Sequence, residues 1–381
     1  MLVQKCIRSV QKKLGCLLFT SLVATSAPVW AGSIFDVEKV WAGLEVPWAI
    51  QFIDTDRLLV TERQGRLVLL DLKNKQQHYV SGLPEIVASG QGGLLDLYLY
   101  SENDAETPWL YFTWSGKDSA GKTRTVLSRS RITLSEKPQL THWQNLLQTR
   151  SSSDNSRHYG SRIAFDHEGY LYMSVGDRGE RDNAQQLANH AGSILRLLPD
   201  GSVPDDNPFV DRHDALPEIW SYGHRNPQGM AYDPIRNRIW AIEHGPRGGD
   251  ELNIIQKGAN YGWPVISYGK EYWGPVSVGD GTHKTGMMQP EKYYVPSIAP
   301  GSLLLYTGDV FPDWKGDLFS GSLKLRHLNH LDLDDDGNVT EENRLLAETG
   351  ERIRALAQGP AGLIWFSTDS GNIYRLVPGQ K

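Results

Sequence analysis

Residues 56–72 read DRLLVTERQGRLVLLDL, two apolar-rich runs of strand length joined by turn chemistry around RQG. Runs of the same kind recur along the chain: PWLYFTWSG (108–116), GYLYMSVGD (169–177), NRIWAIEHG (237–245), GDLFSGSLK (316–324) and GLIWFSTDSGNIYRL (362–376). Each alternates apolar with polar positions and is bounded by Gly or Asp. Strands repeated at about one sheet's length are the pattern of propeller blades. Six such runs predict an all-β fold, a six-bladed β-propeller. FDVEKVWAGL (35–44) is placed to pair with the last blade and close the ring, which would remove two exposed sheet edges. The spacing between runs is uneven, so some blades must be joined by long loops, where a rigid β scaffold usually carries its sites.

Composition agrees with this reading. The 381 residues include 38 Gly, 12 Trp and 16 Tyr, which suits many short strands and tight turns. Helical periodicity is scarce. All-β propellers run long as single units, so residues 32–381 are expected to form one domain. The first 31 residues differ: Lys5, Arg8, Lys12 and Lys13 precede the apolar run LGCLLFTSLVATSAPV, and small residues end the segment at Ala31. This is the pattern of a cleavable export signal and predicts a periplasmic or secreted product. Cys16 stands at the start of the apolar run instead of after it, which argues against a lipid anchor.

Both cysteines, Cys6 and Cys16, fall in that segment. The exported chain would have neither a disulfide nor a thiolate catalyst. Removing four basic residues changes a net charge of −6 to 35 basic against 45 acidic side chains, which disfavours nucleic acid and anionic membrane as partners. No later segment has the apolar length to span a bilayer.

The chain has no dinucleotide-binding GxGxxG after a strand, no Walker loop, no HExxH and no GxSxG elbow. DLDDDGNVTEE (332–342) has aspartates at calcium-loop spacing, but Asn343 stands at the twelfth position and no helices flank it, so a β-hairpin turn is expected. Four other stretches place polar residues beside glycine. In DNSRHYGSRIAFD (154–166), His158 precedes a strand, and Asp177 ends the next one in SVGDRGE. A histidine oriented by a carboxylate is a general base; a surface histidine is the other reading. In WSYGHRNPQGMAYDP (220–234), Arg225 and Asn226 lie between Gly223 and Pro227, either as a presented guanidinium and amide or as a turn between blades. In EHGPRGGDELN (243–253), Gly245 and Pro246 are placed to turn carbonyls towards a hard cation, with Asp250 and Glu251 supplying carboxylates. Lastly, Lys324 in SGSLKLR and Arg352 with Arg354 in ERIRAL form either a cationic patch for a multiply charged anion or solvated surface charge.

Taken in order, GQGGLLD, NSRHYGSRIAFD, EIWSYGHRNPQGMA, EHGPRGGDELN, NYGWP and ERIRAL resemble the soluble, pyrroloquinoline quinone (PQQ) dependent aldose sugar dehydrogenases of the glucose/sorbosone dehydrogenase family, over about residues 34–378. The resemblance implies PQQ in a cleft on top of the ring, with Lys324, Arg352 and Arg354 as counter-charges and Gln91, Arg225, Asn226 and Tyr272 as further contacts. It implies one calcium held with PQQ by main-chain oxygens of Gly245 and Pro246, and a second, structural calcium near Glu251 and Tyr261. It also implies that His158, oriented by Asp177, takes the proton of an aldose C1 hydroxyl while hydride passes to PQQ. Arg225 and calcium would polarise the quinone carbonyl, and the product is the lactone. An external acceptor then takes the electrons. The protein is expected as a monomer or homodimer. Two rivals share the scaffold: a calcium-dependent propeller lactonase, which would not need the cationic cluster, and a non-catalytic binding propeller, which would not need His158 and Asp177.

Overall fold

The computed structural model describes residues 34–101 and 108–379. The segment read as an export signal lies outside the described residues. Six four-stranded antiparallel sheets form the blades of a ring. Each of the six runs falls in a different blade, beginning with residues 56–72, which supply Arg57–Glu62 and Arg66–Asp71 of blade 1. Phe35–Trp41 pairs antiparallel with Ile373–Pro378 and completes blade 6, as expected, with Phe35 opposite Pro378 and Glu38 opposite Arg375. The first and last strands of the described residues are thus latched in one sheet, which closes the ring at its seam.

The innermost strands are Pro47–Phe52, Leu94–Tyr100, Ile163–Phe165, Pro227–Asp233, Leu304–Leu305 and Ile353–Gln358. Each adjoins the next around the axis, and the last adjoins the first. The apolar–polar alternation read from the sequence is weaker in the structure. In Arg57–Glu62, Leu171–Val175 and Ile364–Thr368 both faces are almost wholly buried, because a blade has a neighbour on each side. Phe52 of blade 1 meets Trp365 of blade 6 at 5.1 Å, and Tyr111 of blade 2 meets Phe165 of blade 3 at 5.0 Å. Exposed positions are concentrated in outer strands such as Gln76–Val80. Among the described residues the helical segments are three short 3-10 turns, Arg181–Gln185, Pro312–Trp314 and Ala347–Thr349. No helix there is long and apolar enough to cross a membrane. The DLDDDGNVTEE stretch is the expected hairpin turn between Leu328–Leu333 and Val339–Leu345, closed by Asn338 N–H donating to Asp334 Oδ1 at 2.8 Å.

One buried arginine ties the inner strands together. Arg162 precedes the inner strand of blade 3. Its Nη1 donates to Asp96 Oδ1 of blade 2 at 2.9 Å, its Nε to the Gln228 carbonyl of blade 4 at 2.6 Å, and its Nη2 to the Gly301 carbonyl ahead of blade 5. The guanidinium lies 3.9 Å from the centroid of the Trp48 ring in blade 1. The other Asp96 oxygen accepts from Ile163 N–H at 2.8 Å. Burial pushes both members of the pair towards their neutral forms and their mutual attraction opposes it. Removing one partner would leave the other charge buried and unpaired. Arg162→Met is therefore expected to cost about 3–5 kcal/mol, read from the denaturant midpoint. A loss under about 1 kcal/mol would show that the ring does not depend on this contact.

Candidate active site

All six inner strands begin on the same face of the ring, so the residues just ahead of them converge there. Gln91, Gly160, Asn226, Ala299 and Arg352, with Arg63, His244, Leu323 and Arg354, line a cavity of about 190 Å³ at that end. The opposite ends of the same strands line a second cavity of about 340 Å³, and Arg162 with Asp96 lies in its wall. On the first face the inner strands of blades 1, 2, 4 and 6 open with bulges, which re-aim side chains at a rim.

His158 is buried, and its backbone is in the left-handed region at φ 53°. A non-glycine residue persists there only when its surroundings hold it. Gln91 Oε1 accepts from His158 N–H at 2.8 Å. Arg178, fully buried, donates to the carbonyls of Ser151, Asn155 and Arg157 and stacks 3.6 Å from the Tyr159 ring centroid. The loop is thereby braced from both sides. His158 Nδ1 donates to Asp177 Oδ1 at 2.6 Å, and Trp263 Nε1 donates to Asp177 Oδ2 at 2.8 Å. With Nδ1 carrying the proton, Nε2 keeps a lone pair. Burial holds the His158 pKa below the usual 6.5; Asp177 pulls it up, and the charges of Arg225 and Arg157 reinforce burial. Burial also raises Asp177, but the bonds from His158 and Gly179 and the nearby Arg225 outweigh it, so this carboxyl lies below its usual range. The pair is a neutral imidazole beside an ionised carboxylate.

Arg225 and Asn226 are set by Glu243, a residue the sequence reading did not single out. Glu243 Oε2 accepts from the N–H of Arg225 at 2.6 Å and of Asn226 at 3.3 Å, and Oε1 accepts from His224 Nδ1 at 2.9 Å. Asn226 Oδ1 accepts from Gly160 N–H at 3.1 Å, leaving its amide nitrogen for the cavity. The Arg225 guanidinium donates to the His244 carbonyl at 3.1 Å and lies 5.3 Å from the Trp263 ring centroid, while its Nε is buried without a partner. His244 donates from Nε2 to the Pro300 carbonyl at 2.7 Å, and burial pulls its pKa down to about 3. It is a second neutral imidazole at the cavity.

Arg352 and Arg354 face the cavity together, as expected of residues two apart. Both also bind Asp369, with Nε contacts of 2.8 Å to Oδ2 and Oδ1 respectively. Arg63, missed in the sequence because it follows a strand in blade 1, joins them; burial and the charge of Arg354 hold its pKa below the ordinary value. Two of these three guanidiniums bind Asp369 and Arg63 senses its charge without a bond to it, so three positive charges stand against one carboxylate. Lys324 is exposed beside Leu323 on the rim, and Tyr272 is 68% exposed. Neither is among the residues lining the cavity.

Gly245, Glu251 and Tyr261 converge, with Arg225, Glu243 and His244, on a smaller adjoining cavity. A Cβ at Gly245 would stand 2.1 Å from the Gly249 carbonyl oxygen, so only glycine allows this loop to close on itself. Pro246 is buried next to it, outside the lining of this cavity. The expectation that Asp250 offers its carboxylate needs correction. Both its oxygens are spent on the loop, accepting from Gly245 N–H and Ala299 N–H and from Ser297 Oγ. Adjacent strand residues point to opposite faces, and Glu251 takes the other one. There it stands directly across from Glu243 on the neighbouring strand, an unfavourable like-charge pair. Burial and Glu243 push its pKa well above the usual carboxylate value, against which a hydrogen bond from Asn253 acts. Tyr261 stacks on His224 at 4.5 Å and sends its hydroxyl to the Ile254 carbonyl, so it has a main-chain oxygen, not the phenol, to offer an ion.

Comparison with known proteins places the chain in a family. The Glucose / Sorbosone dehydrogenase family model matches residues 44–375. An uncharacterized protein of Synechocystis, slr1608, is 39% identical over 87% of this chain and 83% of its own. Aldose sugar dehydrogenase YliI of Escherichia coli is 37% identical over 94% of this chain and 97% of its own. The apo crystal structure of the E. coli soluble aldose sugar dehydrogenase superposes with a TM-score of 0.86 at 36% identity, over 90% of this chain and 99% of that one. The PQQ-bound aldose sugar dehydrogenase of Streptomyces coelicolor gives 0.73 at 26% identity, over 91% and 99%. With the family model matched over residues 44–375 and relatives 37–39% identical along most of both chains, this chain belongs to the glucose/sorbosone dehydrogenase family of oxidoreductases.

Proposed function

We propose that this chain oxidises the C1 hydroxyl of aldoses to the lactone, with PQQ and calcium bound on the upper face and an external acceptor taking the electrons. The observation that carries the reading is the cavity itself. Three guanidiniums against one aspartate, with amide nitrogens from Gln91 and Asn226, suit a planar tricarboxylate. A propeller lactonase has no use for that charge, and a binding module has no use for His158 held in a strained backbone.

Arg63, Arg352, Arg354, Gln91 and Asn226 would hold PQQ, with Lys324 and Tyr272 at the rim. Main-chain oxygens of Gly245 and Pro246 would hold the calcium shared with it, and Glu251 with Tyr261 a structural one. Bound there, PQQ supplies a two-electron ortho-quinone acceptor and calcium the positive charge that polarises it. His158 Nε2 takes the proton of the C1 hydroxyl. Asp177 stabilises the imidazolium that forms, and Trp263 keeps the carboxylate in line by its bond to the second oxygen. Arg225, placed by Glu243, presents positive charge where negative charge develops. Export by the amino-terminal signal into a calcium-rich compartment completes the reading, with residues 32–381 as one catalytic domain.

Dye reduction by the purified chain across a panel of aldoses, with PQQ and calcium together and each omitted, tests this directly. Activity is expected only with both, and PQQ that neither binds nor supports turnover with any aldose would rule the reading out. The base must be neutral to act, so rate is lost as pH falls through the His158 pKa. The acidic limb of kcat/KM is expected below pH 6.5. His158→Gln should lose that limb and about 100-fold or more in kcat while still binding PQQ; near-normal turnover would remove His158 from the mechanism. Glu251→Ala should abolish much of the rise in Tm that calcium confers, because that rise is binding energy. An undiminished rise would place the ion elsewhere.

A further inference from the structure

Blade 5 carries a second group of ligand-type side chains on the face opposite the active site. Asp317 precedes the strand Leu318–Gly321, and His330 and Asp332 lie two apart, hence on one face, of Leu328–Leu333. His330 Nε2 is 2.9 Å from Asp317 Oδ2 and 3.2 Å from Asp332 Oδ1. All three ligand atoms lie within 4.8 Å of one another. We propose that Asp317, His330 and Asp332 form a binding site for a divalent transition metal of the zinc class, distinct from the calcium positions on the upper face.

Three features support it. One ring nitrogen faces two carboxylates, and a single N–H proton cannot satisfy both, whereas a cation between the three atoms would. Each carboxylate is also tied back by its other oxygen, Asp317 Oδ1 by Leu333 N–H at 3.0 Å and Asp332 Oδ2 by Asn343 Nδ2 at 3.1 Å. Second-contact bonds of this kind orient metal ligands. The imidazole is fixed as well, stacked on Phe319 at 4.5 Å and flanked by Trp314 at 5.5 Å. The two nitrogen-to-oxygen separations are close to the edge of about 3.3 Å of a tetrahedron with metal–ligand bonds of about 2.0 Å. Imidazole with two carboxylates suits zinc and its neighbours; calcium prefers oxygen alone. The side chains of Asp317 and His330 are 8% and 5% exposed, but that of Asp332 is 30% exposed, which leaves an entry path and room for a water as fourth ligand.

The test is zinc uptake by the full chain after chelator treatment, with calcium in excess, followed by cobalt substitution. One zinc per chain is expected, together with a cobalt visible spectrum of tetrahedral intensity and a rise in Tm of a few degrees. Asp332→Asn, at the exposed corner of the site, should keep the fold and lower zinc affinity at least tenfold, and His330→Gln should do the same. Absence of stoichiometric uptake, or uptake as tight in Asp332→Asn as in the natural chain, would overturn the proposal. Sugar oxidation is read separately: it should be unchanged in Asp332→Asn, so failure of this site and failure of the PQQ reading are told apart.

Discussion

The Arg162–Asp96 pair is the constraint on which the rest of the molecule turns. A propeller's inner strands make no hydrogen-bonded sheet with one another across the axis, so the centre of the ring must be held by side chains. Arg162 supplies donors to blades 2 and 4 and to the segment entering blade 5, and stacks on blade 1, while Asp96 takes the first N–H of blade 3. An arginine suits this place better than an aliphatic residue because the carbonyls of Gln228 and Gly301 need donors. The same contact divides the axis into an upper and a lower chamber. Fixing the depth of the upper chamber would fix where the proposed anionic cofactor sits.

Above that floor the site is arranged by charge imbalance of opposite sign in two adjoining places. Arg63, Arg352 and Arg354 crowd one cavity with only Asp369 against them, while Glu251 and Glu243 oppose each other in the next. Each arrangement costs stability in the unliganded chain. In the function proposed above, each would be relieved by a ligand of the missing sign, an anionic cofactor in the first and a cation in the second. Arg225 and His244 line the wall of the smaller cavity, and His244 borders both. Because burial keeps His244 neutral, it adds no charge to either side.

The fold was largely legible in the sequence because each blade leaves a local trace. Within DRLLVTERQGRLVLLDL the strands Arg57–Glu62 and Arg66–Asp71 and the turn between them lie close together in the chain, and the closing strand was recognisable as an orphan run ahead of the first blade. The candidate site was legible where the chain carries a glycine-rich irregularity: His158, Asn226 and Gly245 all stand in such stretches. What was not legible lies far apart in the chain. Trp263 and Arg162 stand inside the quoted stretches NYGWP and NSRHYGSRIAFD, but nothing local shows that Trp263 reaches Asp177 across 86 residues or that Arg162 reaches Gly301 across 139. Arg178 and Glu243 also stand inside quoted stretches, SVGDRGE and EHGPRGGDELN, but their roles depend on burial, which turns an ordinary charged residue into the brace of a loop.

The neighbours Asp250 and Glu251 show how one step along a strand separates structure from function. Both are acidic, both sit in the same motif, and spacing gave no reason to prefer one as a ligand. Strand geometry sends them to opposite faces. One meets three N–H and O–H donors and becomes part of the loop, and the other meets a second glutamate and an amide. A carboxylate whose donors are already supplied by its own chain has little to offer an ion. One that faces a like charge gains most from binding it. In a motif crowded with acidic residues, the candidate ligand is therefore the residue that the fold leaves unsatisfied, and strand parity decides which residue that is.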